Sequence, residues 1–451
     1  MRLNIFTRYI QYLYTWLRHI LQQIGQWLST ILGDNKQEGK NTIAVLDGVR
    51  ACAIILVLTF HINRVTGDNL WSMTAFPLAS SVSTAGGTGV TLFFVLSGFL
   101  LFLPFAKSLL FQSTWPSPRV FYLRRVFRIV PAYYVSLFLI IVFFQPQYLH
   151  WDHLKDLMLF LTFFMDSTQQ TFRQINGPFW TLAIEWQFYM FLPLLAWGIS
   201  RLVRRVSPQG RLRALIFCLI GVIIWGLCLR YGGLYFTEHP TQTFLVPRSV
   251  LNVALFFLFG VQGKYLEDFA VGMLISLCYV YSQHPTTNAN YLTQARRLSP
   301  WLWGGGILLL LFGAMWHFNS DHHGWPFLDG LMSVYQWLNE MGLSIGYGAC
   351  IAAILFGSAA LKRPFEWPLL RWIGLISYSL YMWHLTLIIV LKYDILSVFP
   401  ALDRYTTYTL YWLWALLIII PFALLSFVLV EKPWMRLGDQ WRRRIEQSKK
   451  T

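Results

Sequence analysis

An arginine and a histidine stand eleven positions apart in one apolar stretch, Leu46-Asp47-Gly48-Val49-Arg50-Ala51-Cys52-Ala53-Ile54-Ile55-Leu56-Val57-Leu58-Thr59-Phe60-His61. At about 100° per residue the two fall within roughly 20° of one helical face and about 16 Å apart along the axis. A guanidinium binds anions, and an imidazole that titrates near neutrality is suited to taking a proton. Taken singly, each has an ordinary reading, because arginine snorkels to lipid headgroups and histidine sits at interfaces. Both on one face, in a chain whose other apolar stretches also carry placed charges, point to function, since ionisable groups inside a membrane are costly.

Three further stretches carry candidate chemistry. Arg125 and Arg128, in Phe121-Tyr122-Leu123-Arg124-Arg125-Val126-Phe127-Arg128, lie one helical turn apart at the mouth of an apolar span. Anchoring to the membrane surface needs only their charge, but clustered guanidinia also make a phosphate clamp, and both readings stand. Glu185 is the one carboxylate in the hydrophobic run Gly177-Pro178-Phe179-Trp180-Thr181-Leu182-Ala183-Ile184-Glu185. Unpaired, it would be expensive there, so it meets a partner such as His61 or stays protonated. Ser97 and Gly98 are small residues that let helices approach closely. His384 reads as a hydrogen-bonded packing residue, and Asp321-His322-His323 lacks the spacing of a metal site, so no metal is expected.

These residues need elements to hold them, and composition says which. Of 451 residues, 56% are hydrophobic and 12% charged, with a mean hydropathy of +0.49, too little polar surface for a soluble globule. The expected fold is all-α, a polytopic membrane bundle of about ten transmembrane helices with re-entrant or interfacial segments. Spans are expected near 45–62, 86–105, 129–145, from about 180, 214–230, 267–282, 301–318, 341–360, 373–391 and 407–430. The stretch 150–166 holds too short an apolar core to cross, and 248–262 reads as embedded on the outer side. Residues 1–40 form an amphipathic interfacial helix and linker, 41–436 the membrane domain and 437–451 a basic tail. No cleavable leader is expected. The five cysteines lie in apolar stretches and imply no disulfide framework.

The net charge of +16 is a topological signal rather than a nucleic-acid one. With both termini cytoplasmic, 27 of the 36 Lys and Arg fall on the inner side and 8 on the outer, with Arg50 inside a helix. If 150–166 crossed, the arginine-rich loop 201–213 would lie outside, against the positive-inside rule.

The segment from Leu46 to His61, with ten residues between arginine and histidine, resembles the first-span signature of the acyltransferase-3 family of membrane O-acyltransferases. Arg125-Val126-Phe127-Arg128-Ile129-Val130-Pro131 is similar to that family's paired-arginine motif. Phe94-Val95-Leu96-Ser97-Gly98-Phe99, Trp180 to Tyr189, Phe269-Ala270-Val271-Gly272-Met273, Ser377 to His384 and Glu431-Lys432-Pro433 follow in order, so the resemblance runs from about 42 to 436. The extension before residue 40 and the lack of a hydrolase-like domain after the last span depart from it. The resemblance implies a multi-pass enzyme of the bacterial inner (plasma) membrane. It would move an acyl group from cytoplasmic acyl-coenzyme A, acetyl-coenzyme A by preference, to a hydroxyl of an extracytoplasmic glycan or lipid-linked glycan.

On that reading Arg50, Arg125 and Arg128 hold the donor's phosphates at the inner surface. His61 is the base, with Glu185 as its orienting partner. Asp47, Ser97 and Gly98 support the site. Membrane lipid, acyl-coenzyme A and a carbohydrate acceptor are the expected partners; nucleic acid is not, and no feature sets an oligomeric state. The rival is a transporter or flippase of a glycan or lipid-linked substrate, in which the same charges line a path without covalent chemistry. Transporters usually show repeated halves, and none is visible here.

Overall fold

The computed structural model describes residues 43–67, 71, 76–284, 289–399 and 402–447, with single positions between 23 and 30. The expected amphipathic helix of residues 1–40 lies outside the described residues. Among those described the chain is all helical, without strands, and nine helices are long and apolar enough to cross a membrane. The main elements are α1 (Val45–Val65), α2 (Gly89–Phe111), α3 (Pro118–Phe144), α4 (Phe179–Val203), α5 (Pro208–Glu238), α6 (Leu266–Gln283), α7 (Ala289–His322), α8 (Met332–Phe356), α9 (Ser377–Val390), α10 (Arg404–Trp414) and α11 (Lys432–Gln447).

Helix ends follow local chemistry. Pro118 and Pro208 open α3 and α5 in the first turn, where a missing N–H costs nothing. The Asp403 side chain caps α10 by accepting from the amides of Tyr405 and Thr406, at 3.0 and 3.1 Å. Because Pro118 starts α3 well before position 129, Arg124, Arg125 and Arg128 lie inside the helix that becomes the third span, not in a connector. The longest helix within residues 150–166 is the eight-residue Leu154–Leu161, entered through a single 3-10 turn at Trp151–His153 and too short to cross.

The expected sixth span is helical as α6, but Glu267 and Asp268 leave it less apolar than the nine others. It is also central. Gly98 of α2 and Gly272 of α6 face each other's backbones so closely that a Cβ on either would come 2.0 Å from a carbonyl oxygen, of Phe269 or Val95 respectively. Only glycine permits that crossing. Both buried carboxylates have partners: Arg230 of α5 pairs with Glu267 at 2.6 Å, and Ser344 of α8 donates to Asp268 at 2.6 Å. Burying a charge without such partners would cost several kcal/mol, on the order of the desolvation penalty. At the periphery, Phe217 of α5 and Leu308 of α7 point outward, 72% and 68% exposed, as lipid-facing residues do.

The last span continues through two π-helical turns, Ala415–Ile419 and Phe427–Glu431, into α11 without a break. The second turn carries Glu431 into the bundle, where Ser379 of α9 donates to its carboxylate. The start of the expected basic tail is therefore an ordered helix packed along α3.

Candidate active site

Two cavities lie along α1, one at each end of the Arg50-to-His61 face. The first, about 710 Å³, is lined by Arg50, by Arg124, Arg125 and Arg128 of α3, by Ser97 and Glu185, and by Arg442 and Arg443 of α11. Arg50 is held by Asp47 one turn earlier, 3.6 Å away. Arg125 stacks over the Phe121 ring at 4.7 Å, so its guanidinium keeps one orientation. Tyr378 of α9 donates to the Ile129 carbonyl at 3.0 Å, tying α9 to α3 beside Arg128.

The second cavity, about 950 Å³, holds His61, the rings of Phe172, Trp180 and Tyr265, and several side-chain amides including Gln174, Asn176 and Gln262. Arg173 reaches into it with its guanidinium over the Phe172 and Trp180 rings, 5.0 and 5.9 Å from their centroids. The segment that presents it is strained, since Arg173 and Ile175 have φ of +58° and +59°. Asp166 anchors the base of that segment: it pairs with Lys264, accepts from Gln187 at 2.8 Å and offers its carbonyl to the Val261 amide at 3.0 Å. Burial lowers the Lys264 ammonium from its ordinary value and the Asp166 carboxylate pulls it back up.

His61 has a partner that the sequence reading missed. Its Nδ1 lies 2.9 Å from the Val57 carbonyl and 3.2 Å from Nε2 of His384. His384 is fully buried, and its Nδ1 lies 2.8 Å from the Tyr381 carbonyl. The Val57 and Tyr381 carbonyls can only accept, so both imidazoles carry their proton on Nδ1; His384 Nε2 then accepts a share of the His61 Nδ1–H, and His61 Nε2 is left as an acceptor. Sequence treated His384 as packing; the available signal was a second imidazole inside an apolar span.

Glu185 is elsewhere. Its Oε1 accepts from Ser97 at 2.6 Å and from Tyr189 one turn on, and it lines the arginine cavity rather than meeting His61. The reason is depth. Thr181 Oγ1 meets the Tyr381 hydroxyl at 2.6 Å, and Glu185 lies four residues further along α4, about 6 Å towards the arginines. Of the candidates, Arg50, Arg125, Arg128, Glu185 and Ser97 thus converge on one cavity, with Asp47 behind Arg50. His61 stands in the other, and Gly98 serves the α2–α6 crossing. The two cavities share Val90 and Tyr381 as wall. Among the described residues no group of three or more His, Cys, Asp or Glu could hold a metal ion.

Fold and cavities define a multi-pass helical membrane protein with an arginine-rich chamber and an imidazole chamber along one helix. The chain belongs to the acyltransferase-3 family (Acyl_transf_3, "Acyltransferase domain"), which matches residues 43–431. It is similar to the peptidoglycan O-acetyltransferase OatA of Listeria monocytogenes, 25% identical over 76% of this chain and 49% of that protein. It is 23% identical to the putative peptidoglycan O-acetyltransferase YrhL of Bacillus subtilis over 79% of this chain and 50% of that one. With the putative O-acetyltransferase SACOL0978 of Staphylococcus aureus the identity is 24%, over 91% of this chain and 60% of the relative. The chain thus spans about half to three fifths of the length of these relatives. No solved structure matches it.

Proposed function

We propose that this chain is a membrane O-acyltransferase that moves an acyl group, acetyl by the names of its relatives, from acyl-coenzyme A to a hydroxyl of a cell-envelope glycan. The observation that carries the reading is the pair of cavities on one face of α1, with Arg50 in one, His61 in the other and Tyr381 in the wall between. Donor phosphates on the arginines would leave the pantetheine arm pointing along α1, and the helical rise of about 16 Å from Arg50 to His61 is comparable with such an arm. Rings and amides around His61 suit a sugar, whose faces stack on aromatics and whose hydroxyls take hydrogen bonds.

His61 Nε2 is the base. It takes the proton of the acceptor hydroxyl as the oxygen attacks the thioester carbon. The C–S bond then breaks and the leaving thiolate takes that proton from the imidazolium, so that ester and free coenzyme A thiol are the products. His384 is a positioning residue: its Nε2 shares the His61 Nδ1–H with the Val57 carbonyl, and the two contacts together hold the ring so that the Nε2 lone pair of His61 is exposed. Glu185 acts on the donor side, its Oε1 already engaged by Ser97 and Tyr189 and its Oε2 able to accept an amide N–H of the pantetheine arm. In this reading the arginine cavity opens to the cytoplasm and the histidine cavity to the far side, as the charge bias of the loops supports.

The experiment is direct. Purified protein in liposomes, given acetyl-coenzyme A and a panel of cell-wall glycans, should release free thiol and acylate one class of them. Movement of intact glycan with no thiol released would instead favour a transporter.

A further inference from the structure

The arginine cavity holds more cation than a diphosphate needs. Beyond Arg50, Arg125 and Arg128 it is lined by Arg124, and by Arg442 and Arg443 from α11, against Glu185 and Asp439 as carboxylates. The guanidinia fall into two groups. Arg50 and Arg125 each interact electrostatically with Arg128, Glu185 and Tyr189, and Glu185 stands one turn from Thr181, whose hydroxyl meets that of Tyr381. Arg124, which also feels Arg125, reaches to the other side, where it interacts with Arg442, Asp439 and Glu446.

The second group is built by the docking of α11 on α3. Gly438 sits on the Phe127 side chain, where a Cβ would come within 2.8 Å of the Phe127 Cβ, and the Trp434 ring lies 5.9 Å from the Phe127 ring. That contact brings the next helical turn, with Arg442 and Arg443, beside Arg124. Arg442 is oriented by Asp439 at 3.3 Å and Glu446 at 4.0 Å. Arg443 has no ion pair among the described residues and faces the cavity.

A coenzyme A donor carries two separate anions, the diphosphate that adjoins the pantetheine arm and the phosphate on the ribose 3′ oxygen. Resting on the function proposed above, we infer that Arg124, Arg442 and Arg443 form a distinct subsite for the ribose 3′-phosphate. Through α11 the enzyme thereby tells coenzyme A from dephospho-coenzyme A. The diphosphate occupies the group towards Tyr381, because only from there does the arm run along α1 to His61. The 3′-phosphate, on the adenosine end, reaches the group at α11.

The test compares acetyl-coenzyme A with acetyl-dephospho-coenzyme A as donors for the reconstituted full chain. One charge-assisted phosphate contact corresponds to roughly tenfold or more in kcat/KM, and the wild type should prefer acetyl-coenzyme A by at least that factor. Arg443→Ala, and Arg442→Ala with it, should raise KM for acetyl-coenzyme A far more than KM for the dephospho donor, collapsing the preference. Arg444→Ala removes the same charge from α11 outside the cavity and should keep it. Wild-type indifference to the 3′-phosphate would overturn the subsite while leaving the acyltransferase reading standing. So would equal losses with both donors in the Arg443 variant, or an equal effect of Arg444→Ala, which would mark α11 as a basic anchor to anionic lipid. Absence of turnover with either donor would overturn both readings.

Discussion

His61→Ala removes the imidazole nitrogen that stands in the second cavity as an acceptor at the end of the Arg50-to-His61 face. Turnover should fall by about 10²- to 10⁴-fold or more, the range of general-base catalysis, while acyl-coenzyme A binding measured by calorimetry stays close to wild type. Turnover near the wild-type rate would remove His61 from the mechanism. His384→Ala should leave donor KM nearly as it is and lower kcat, because the loss is of orientation at His61 and not of a donor contact. Arg125→Ala and Arg128→Ala should act oppositely, each raising KM through a lost charge-assisted contact of about 1.5 to 3 kcal/mol.

The crossing of α2 and α6 is the least tolerant contact between elements. Gly98→Leu places side-chain carbon where the Phe269 carbonyl now lies, so the helices must part or the protein must fail to assemble. Overpacking of this kind costs about 1 to 3 kcal/mol or more. The melting temperature in detergent should drop clearly for Gly98→Leu and little for Ser97→Ala, which leaves the backbone approach intact. The segment before α4 depends on a buried ion pair. Lys264→Met leaves the Asp166 carboxylate buried without its cation, a loss of about 3 to 5 kcal/mol, and adding Asp166→Asn should recover part of it. If Lys264→Met melted as wild type does, the Asp166 anchor would carry no weight in positioning Arg173 and the loop at His61.

Across the whole molecule the two cavities predict sidedness. In oriented proteoliposomes, acyl-coenzyme A supplied on the Arg125 side should acylate an impermeant acceptor on the His61 side, with free coenzyme A appearing on the donor side. Acylation only when donor and acceptor share a face would refute transfer across the bilayer even for a working acyltransferase. The same orientation is open to labelling: single cysteines at positions 206 and 298, in an otherwise cysteine-free chain, should resist an impermeant thiol reagent added to intact cells. Reaction at 206 would put the basic loop 201–213 outside, and reaction at 298 would put the start of α7 there, each reversing that part of the topology.

Periodicity and hydropathy in the sequence are enough to read a helical membrane bundle, the Arg50–His61 face of α1 and the paired arginines of α3, because each is a local property of one helix. The short helix in 150–166 was legible for the same reason, as length alone bars it from crossing. What partners Glu185 was not legible, because its choice between His61 and Ser97 turns on how deep α4 sits against α2, set by long-range packing and the glycine crossing. Nor was the contact between His61 and His384, which brings together residues 323 positions apart in the chain. Arg442 and Arg443 read as solvated tail charges until the docking of Gly438 on Phe127 turned them towards the arginine cavity. Helical faces follow from spacing along the chain, whereas the pairing of faces depends on steric fit between helices, and only the tertiary structure decides it.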